Sequence, residues 1–381
     1  MTRQIVITLE GLSVDAIGCY GSAFNQTPTI DAMASDGFVW DRLVCHDDRP
    51  DVVLATLVSS RHGGLLIDDG TTPSVGRAFD LVQTMPIDSA DKSVANRVED
   101  THFSRLVQSL DEAVNADSPA ERIWLHSGFL TRHWDAPRDL FPVDESWDDW
   151  GDDDQEFLDT EPPGTVSGGA PQSETDGEGA CPPIFEGVEP PVHPVVANDP
   201  VDLIMAWMRT YGCQVRLIDQ LLDRCVDLAD QIDATLILMG TSGFNLGQNG
   251  WIGHGCGPLR SAQIQVPLIV RTPQGIHHDV GMRWPKLTGS QDVAATVIAD
   301  DLVDRLPFTA EQWAADSDDA FDPMLVTQTE TADRCVNTGG WFYVRDRDQS
   351  EHLYLKPDDR HDHNDVGRLA PDALDRLSTD G

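Results

Sequence analysis

The sequence predicts an α/β protein in which a mostly parallel central sheet carries helices on both of its faces. Short continuous apolar runs rich in β-branched residues, typical of buried parallel strands, recur at 4–9, 122–130, 234–239 and 265–271. Helical stretches lie between these runs, as expected of strands joined by helices. After about residue 307 the pattern changes, and we expect a small C-terminal antiparallel subdomain packed on the main sheet.

The first elements are delimited by residues that begin or end helices and strands. The strand QIVITL ends at Glu10-Gly11, and Thr27-Pro28 then begins a helix that ends at Gly37. RIWLHSGFL, residues 122–130, is the second buried strand.

The later half contains a long predicted helix over 211–231, which leads into the strand ATLILM at 234–239. Its apolar side chains recur at helical spacing: Val215, Ile218, Leu221, Leu222, Cys225 and Leu228. Residues 339–356 read as two strands around a polar turn, and APDALDRL forms a closing helix.

The chain is strongly acidic: 65 Asp and Glu against 26 Lys and Arg give 381 residues a formal charge of −39. Such a surface repels nucleic acids and anionic membranes, so we expect neither as a partner. Either adaptation to high salt or a single acidic segment would account for this charge. No apolar run is long enough to span a bilayer and no signal peptide is visible, which favours a cytoplasmic location. Seven scattered cysteines without a CxxC pair suit reduced thiols rather than a zinc site.

One segment has a composition unlike the rest. Residues 139–208 contain no Lys or Arg, and 144–161 are dense in Asp and Glu. This composition buries too little apolar surface to offset its ordering entropy, so we predict an acidic, disordered insert at 144–198. The insert interrupts a predicted α/β domain of residues 1–306, and 307–381 form the small C-terminal subdomain.

Several stretches resemble the sulfatase family, within the alkaline-phosphatase-like superfamily. The opening stretch contains GCYG at 18–21 and TPTID at 27–31, and both are similar to the start of that family. LILMGTSGFNLGQNGWIGHG (236–255) and QVPLIVRTP resemble its later half, and EHLYLKPDDRHDHNDV resembles its C-terminal stretch. The resemblance covers most of the chain outside the insert and residues 62–120, and it implies the sulfatase α/β fold.

The resemblance also implies where a nucleophile should lie. In the family, a Cys or Ser in a C/S-x-P-x-R motif becomes formylglycine and attacks the sulfur. Here the nucleophile position falls on Pro50, and Leu54 replaces the motif arginine. Proline cannot become formylglycine. A rival register, CHDDR, places Cys45 at the nucleophile position but lacks the motif proline.

The family's metal positions are depleted in the same way. The first strand ends at Glu10, which leaves one carboxylate, and Thr241 and Ser242 stand at lost ligand positions. A hard divalent cation prefers several charged oxygens. We therefore expect no bound cofactor, with Glu10 at best a weak ligand.

Two histidines match the family's catalytic histidines, namely His133 and His254. Each is also compatible with a packed, hydrogen-bonded structural role. Arg132 and Arg260 either add positive charge to a residual anion pocket or are ordinary surface arginines. The C-terminal cluster is either a chelating site or a solvated loop: His352, His361 and His363 with Asp358, Asp359 and Asp362.

These observations predict a sulfatase-like protein that lacks sulfatase activity and keeps the fold as a binding or structural module. Its expected partner is an anionic or glycan ligand, or an active homologue. The alternative is an active sulfuric- or phosphoric-ester hydrolase or transferase with a rearranged site. That enzyme would use Cys45, Asp51 or Thr56 as nucleophile and a weakly bound calcium or magnesium ion.

Overall fold

A computed structural model describes residues 3–59, 62–70, 75–88, 90, 92–142, 182–273, 281–298, 324–329 and 333–379. In chain order its strands are β1 (Arg3–Leu9), β2 (Phe38–Val44), β3 (Leu65–Asp68), β4 (Leu81–Thr84), β5 (Arg122–Ser127), β6 (Val192–Pro194), β7 (Ala234–Gly240), β8 (Asn245–Leu246), β9 (Trp251–Gly253), β10 (Gln265–Val266), β11 (Leu268–Arg271), β12 (Met282–Gly289), β13 (Leu325–Gln328), β14 (Arg334–Asn337), β15 (Trp341–Arg345) and β16 (Glu351–Leu355). Its α-helices are α1 (Pro28–Ser35), α2 (Pro50–Ser59), α3 (His102–Val114), α4 (Phe129–Arg132), α5 (Leu203–Gln231), α6 (Ser261–Ile264), α7 (Ser290–Val293) and α8 (Pro371–Thr379).

The central sheet has the order β10-β2-β11-β7-β1-β5-β3-β4, and β12 pairs with β2. β1 lies between β5 and β7 and is parallel to both, which confirms the predicted mostly parallel sheet. β11 runs antiparallel to β7 and β2. The predicted strand QVPLIVR is divided into β10 and β11 because Pro267 lacks an amide proton and cannot continue the ladder.

Both faces of the sheet are covered by apolar side chains. One face packs against α1, α3 and α5, and the other packs against α2. The long helix was expected at 211–231 and begins earlier, at Leu203. The strand expected over 122–130 ends at Ser127, because Asp69 accepts hydrogen bonds from Ser127 Oγ and Gly128 N, both at 2.7 Å, and turns the chain into α4.

The predicted pair of strands around a polar turn is confirmed as β15 and β16, within an antiparallel sheet of order β13-β14-β15-β16. Its buried side chains, among them Phe342 and Tyr354, share one core with the Leu54 face of α2. α8 packs on the opposite side through Leu377. The predicted domain boundary at 306/307 lies outside the described residues.

The predicted insert, 144–198, falls largely outside the described residues. Its last part, 182–198, is ordered, contrary to the disorder expected from composition: β6 pairs with β9, and the Phe185 ring stacks on Trp207 with centroids 3.8 Å apart. Val188 is buried. Phe185 and Val188 anchor this part of the chain to the main core. Average composition does not indicate such individual contacts. Along the described ranges, no helix is both long and apolar enough to cross a bilayer.

Candidate functional site

The site lies where the central parallel strands end. Leu9 pairs with Ser127 on one side and with Gly240 on the other. The residues that follow these three positions therefore meet at one edge of the sheet, where α/β folds place ligand sites. Glu10 and Thr241 are both buried there.

Both carboxylate oxygens of Glu10 have protein partners. Oε1 lies 3.4 Å from His126 Nε2, and Oε2 lies 3.1 Å from Thr131 Oγ1, whose single proton is shared with the Gly128 carbonyl at 3.0 Å. Only 3% of Glu10 is exposed. Burial alone would raise the pKa of Glu10, but the hydrogen bond with His126 and the nearby charge of Arg132 lower it. Glu10 is therefore an anion held by neutral and cationic neighbours of its own chain.

The next residue, Gly11, leaves no room for a second carboxylate. Its φ is +76°, and an added Cβ would lie 2.6 Å from Thr131 Cγ2. Its amide donates to Ser242 Oγ at 2.9 Å, and its carbonyl accepts from Tyr211 Oη at 2.7 Å. The backbone here is fixed from both sides, and Ser242 is used to fix it.

The residues at this edge do not fit a divalent cation. Ser242 Oγ accepts from Gly11, and Thr241 Oγ1 lies 3.4 Å from the Leu9 carbonyl. Glu10 is the carboxylate at the strand end and already has two partners. Within the described ranges, no group of three or more His, Cys, Asp and Glu is placed to hold a metal ion. A hard cation needs several charged oxygens, which this set does not supply.

The two predicted nucleophile positions differ in environment. Pro50 is the first residue of α2, where proline is favoured because its missing N–H is not needed. Cys45 is fully buried: its Sγ donates to the Thr241 carbonyl at 3.5 Å, and its carbonyl accepts from Thr327 Oγ1 at 2.8 Å. Burial raises the pKa of the Cys45 thiol, so it stays protonated.

His254 borders the site near Glu10. Its Nδ1 donates to the Gly243 carbonyl at 3.2 Å, which leaves Nε2 as an acceptor in the neutral ring. Burial lowers the pKa of His254 and keeps the ring neutral. Arg132 is exposed, makes no hydrogen bond to other described residues, and acts electrostatically on both Glu10 and His254. The edge of the site thus combines the exposed guanidinium of Arg132 with a hydrogen-bond acceptor, His254 Nε2.

Comparison with solved structures decides the fold. The chain is similar over 100% of its length, and 94% of the other, to a phosphonate monoester hydrolase from Silicibacter pomeroyi, with a TM-score of 0.66 and 13% identity. A protein solved with its substrate D-glucosamine-2-N,6-O-disulfate matches with a TM-score of 0.66, 12% identity and coverage of 99% and 96%. A 2-O GAG sulfatase matches with a TM-score of 0.60, 13% identity and coverage of 100% and 93%.

This chain has the sulfatase fold. Two phosphonate monoester hydrolases of known structure share that fold. Comparison of the sequence with protein-family models and with curated proteins gave no match.

Within the sulfatase fold, His133 lies in a buried cluster of its own. Its Nε2 is 3.7 Å from Asp135 Oδ2, and that oxygen accepts from the His102 amide at 2.7 Å at the start of α3. Burial raises the pKa of Asp135 and lowers that of His102 to about 4. The carboxylate beside His133 therefore also binds the first backbone amide of α3.

Two other candidate groups, Arg260 and His352, contact acidic residues of the C-terminal part of the chain. Arg260 forms a bidentate ion pair with Asp346 at 2.8 and 3.0 Å, so its guanidinium is occupied. His352 lies 2.9 Å from Asp365, whereas the nearest acidic group to His361 is Asp15 at 3.6 Å. His352 and His361 therefore have different acidic neighbours, while the rings of His361 and His363 lie 5.8 Å apart.

Sequence reasoning missed two groups at the site of this sulfatase fold. His126, near the end of β5, contacts Glu10, and Asp69, just after β3, fixes the turn that presents Thr131. The sequence contains a signal for both: His126 directly follows the apolar pair WL, and Asp69 follows LLI after one residue, Asp68, at the carboxyl ends of parallel strands.

Proposed function

We propose that this chain is a sulfatase-fold protein without sulfatase activity, which keeps the fold as a module that binds an anionic ligand. One observation carries the proposal: both oxygens of Glu10 are bonded to the chain's own His126 and Thr131. A carboxylate so engaged has one lone pair of each oxygen directed at the protein, and no second carboxylate beside it helps to hold a cation. We also propose that the protein works without a bound metal or cofactor.

The nucleophile positions support the same proposal. Pro50 has no side-chain group that can attack an ester, and the Cys45 thiol is buried and protonated. In a sulfatase the nucleophile, the cation and the anion-stabilising groups each contribute several kcal/mol of transition-state stabilisation. Loss of all three together would leave no measurable turnover.

Arg132 favours an anionic ligand over a purely structural role. The Arg132 guanidinium is exposed, and it is a suitable donor for sulfate, phosphate or carboxylate. One structural neighbour was solved with a sulfated glucosamine, so a sulfated glycan is a reasonable first ligand to test. The acidic surface would limit affinity, because it repels anions outside the Arg132 edge.

The experiment is an assay of the purified full chain with a chromogenic aryl sulfate and an aryl phosphonate monoester, with calcium, magnesium or chelator added. We expect no turnover above the buffer rate in any condition. Turnover that is lost in Glu10→Gln but retained in Arg224→Gln, an exposed control, would refute the proposal. For ligand binding, a sulfated glucosamine should shift NMR signals near Arg132, and Arg132→Gln should abolish the shift.

One observation favours the alternative, an ester hydrolase with a rearranged site. Thr56 Oγ1 lies 3.1 Å from His46 Nε2, and His46 Nδ1 lies 2.7 Å from Ser290 Oγ. A hydroxyl beside an imidazole is a nucleophile–base arrangement. Thr56 Oγ1 also lies 3.1 Å from the Val52 carbonyl, the usual partner of a helical threonine. Turnover lost in Thr56→Val but kept in Glu10→Gln would support this alternative.

We further propose a cytoplasmic location. The six described cysteines are all free thiols, and five of them are buried. Reduced thiols are the rule in cytosolic proteins. Alkylation of rapidly acid-quenched cells under denaturing conditions, followed by mass spectrometry, tests this, and we expect the cysteines to be alkylated rather than disulfide-bonded.

A further inference from the structure

A chain of hydrogen bonds links the core of the sheet to Glu10. Trp124 Nε1 lies 2.8 Å from Thr8 Oγ1, and Thr8 Oγ1 lies 2.9 Å from His126 Nδ1. His126 Nε2 then lies 3.4 Å from Glu10 Oε1. All four residues are at least 97% buried, with Glu10 the most exposed at 3%.

The register between β1 and β5 places these hydrogen-bonding groups next to one another. Thr8 on β1 pairs directly with His126 on β5, and Val6 pairs with Trp124. Residues two apart in a strand point to the same face, so Thr8 and Glu10 lie on one side of the sheet beside His126. The imidazole is held between two positions of the neighbouring strand.

The donor and acceptor groups of the four side chains determine the direction of each hydrogen bond. An indole N–H only donates, so Thr8 Oγ1 accepts from Trp124. The Glu10 carboxylate is an anion and can only accept, so His126 Nε2 carries the proton that faces it. In the neutral ring Nδ1 is then unprotonated and accepts the hydroxyl proton of Thr8.

We propose that the His126 Nε2–H group takes the place that a divalent cation has in a sulfatase, as the internal partner that holds the first-strand carboxylate in its buried position. His126 is thus a positioning residue for Glu10, and it closes the strand end to metal ions. Thr131 completes the arrangement by donating to the second oxygen and by filling the space beside Gly11. The inference does not depend on the absence of turnover, because it concerns metal binding and histidine geometry.

The first test measures the calcium response of the melting temperature at constant high KCl, which saturates non-specific binding to the acidic surface. Millimolar calcium should shift the native protein and Glu10→Gln equally, as should magnesium. A shift in the native protein that Glu10→Gln lacks would overturn the proposal.

The second test separates the two ring nitrogens. His126→Gln keeps a donor near the Nε2 position, whereas His126→Asn keeps an acceptor near Nδ1 but does not reach Glu10. We expect His126→Asn to lower the melting temperature by several degrees more than His126→Gln, and this gap to vanish in the Glu10→Gln background. An equal loss in both variants, or a gap that persists without Glu10, would overturn the proposal.

The third test needs no variant and remains decisive if the substitutions prevent folding. Nitrogen-15 NMR of the native protein at neutral pH should show His126 as the neutral Nε2–H tautomer. An Nδ1–H tautomer or an imidazolium would overturn the proposed direction of the chain. Failure here and failure of the proposed function are distinguishable, since only the latter requires turnover.

Discussion

The Arg260 guanidinium and the Asp346 carboxylate form a bidentate ion pair, with distances of 2.8 and 3.0 Å. Arg260 precedes α6 on the main domain, and Asp346 follows β15 of the C-terminal sheet. Their side chains are only 7% and 14% exposed. This largely buried pair joins the start of α6 to the end of β15 in the C-terminal sheet, and it explains why Arg260 cannot serve an anion pocket.

We predict that Arg260→Met destabilises the protein by about 3–5 kcal/mol, because removal of one partner leaves a buried carboxylate without its counter-charge. Arg224→Met is the matched control: it breaks a bidentate pair with Asp111 whose side chains are 44% and 33% exposed. That control should cost about 1 kcal/mol or less. Urea unfolding of both variants measures the difference, and equal losses would contradict the prediction.

Gly11→Ala is predicted to destabilise the protein more than Gly250→Ala. Both glycines have φ of +76°, but a Cβ at Gly11 meets Thr131 Cγ2 at 2.6 Å, whereas one at Gly250 meets nothing within 4 Å. The left-handed backbone alone costs about 1–2 kcal/mol. Steric overlap adds about 1–3 kcal/mol at Gly11. Thermal unfolding tests this pair, and similar losses would show that Thr131 moves aside freely.

Asp219 is predicted to make stability fall as pH rises from about 4 to about 6. Its carboxylate accepts hydrogen bonds from Ile30 N at 2.8 Å and Thr29 N at 3.3 Å at the start of α1. Burial raises its pKa from 3.8 to about 6, which corresponds to about 3 kcal/mol. Between these values the folded state binds more protons than the unfolded state, so acid stabilises the folded state.

The measurement for Asp219 is urea unfolding between pH 4 and 7 for the native protein and Asp219→Asn. The charge of the whole chain affects both proteins alike. The difference between their unfolding free energies should therefore change through this range and level off above about pH 6. Parallel curves would show that Asp219 titrates normally.

Stability is predicted to increase with KCl, because a formal charge of −39 repels itself in the folded state. The ten acidic residues of 144–161 account for only part of that charge. A variant with these residues changed to Asn and Gln should therefore keep most of the salt dependence. Melting temperatures from low to molar KCl decide between the two explanations of the charge, and loss of the dependence in the variant would assign it to this segment.

The fold could be predicted where local pattern and burial agree. β1 and β7 are runs of apolar residues with every interior side chain buried, and their boundaries follow the sequence pattern closely. β5 was extended too far, because the turn after Ser127 is set by Asp69, a residue distant in sequence. The order of 182–198 likewise depends on the Phe185–Trp207 contact, which composition does not encode.

The candidate site was only half predictable. Glu10, Thr241 and Ser242 could be placed at one sheet edge, because each follows a predicted parallel strand. The partner of Glu10 could not, since the contact with His126 arises from the register between β1 and β5. The contact of His133 with Asp135, which also accepts from the His102 amide, likewise depends on tertiary packing.

The central claim is that Glu10 is bonded to protein groups rather than to a metal ion. Elemental mass spectrometry of the native protein and Glu10→Gln, each equilibrated with calcium and magnesium and then dialysed without chelator, tests it most directly. The account predicts far less than one ion per chain and no difference between the two proteins. One ion per chain in the native protein, lost in Glu10→Gln, would contradict it.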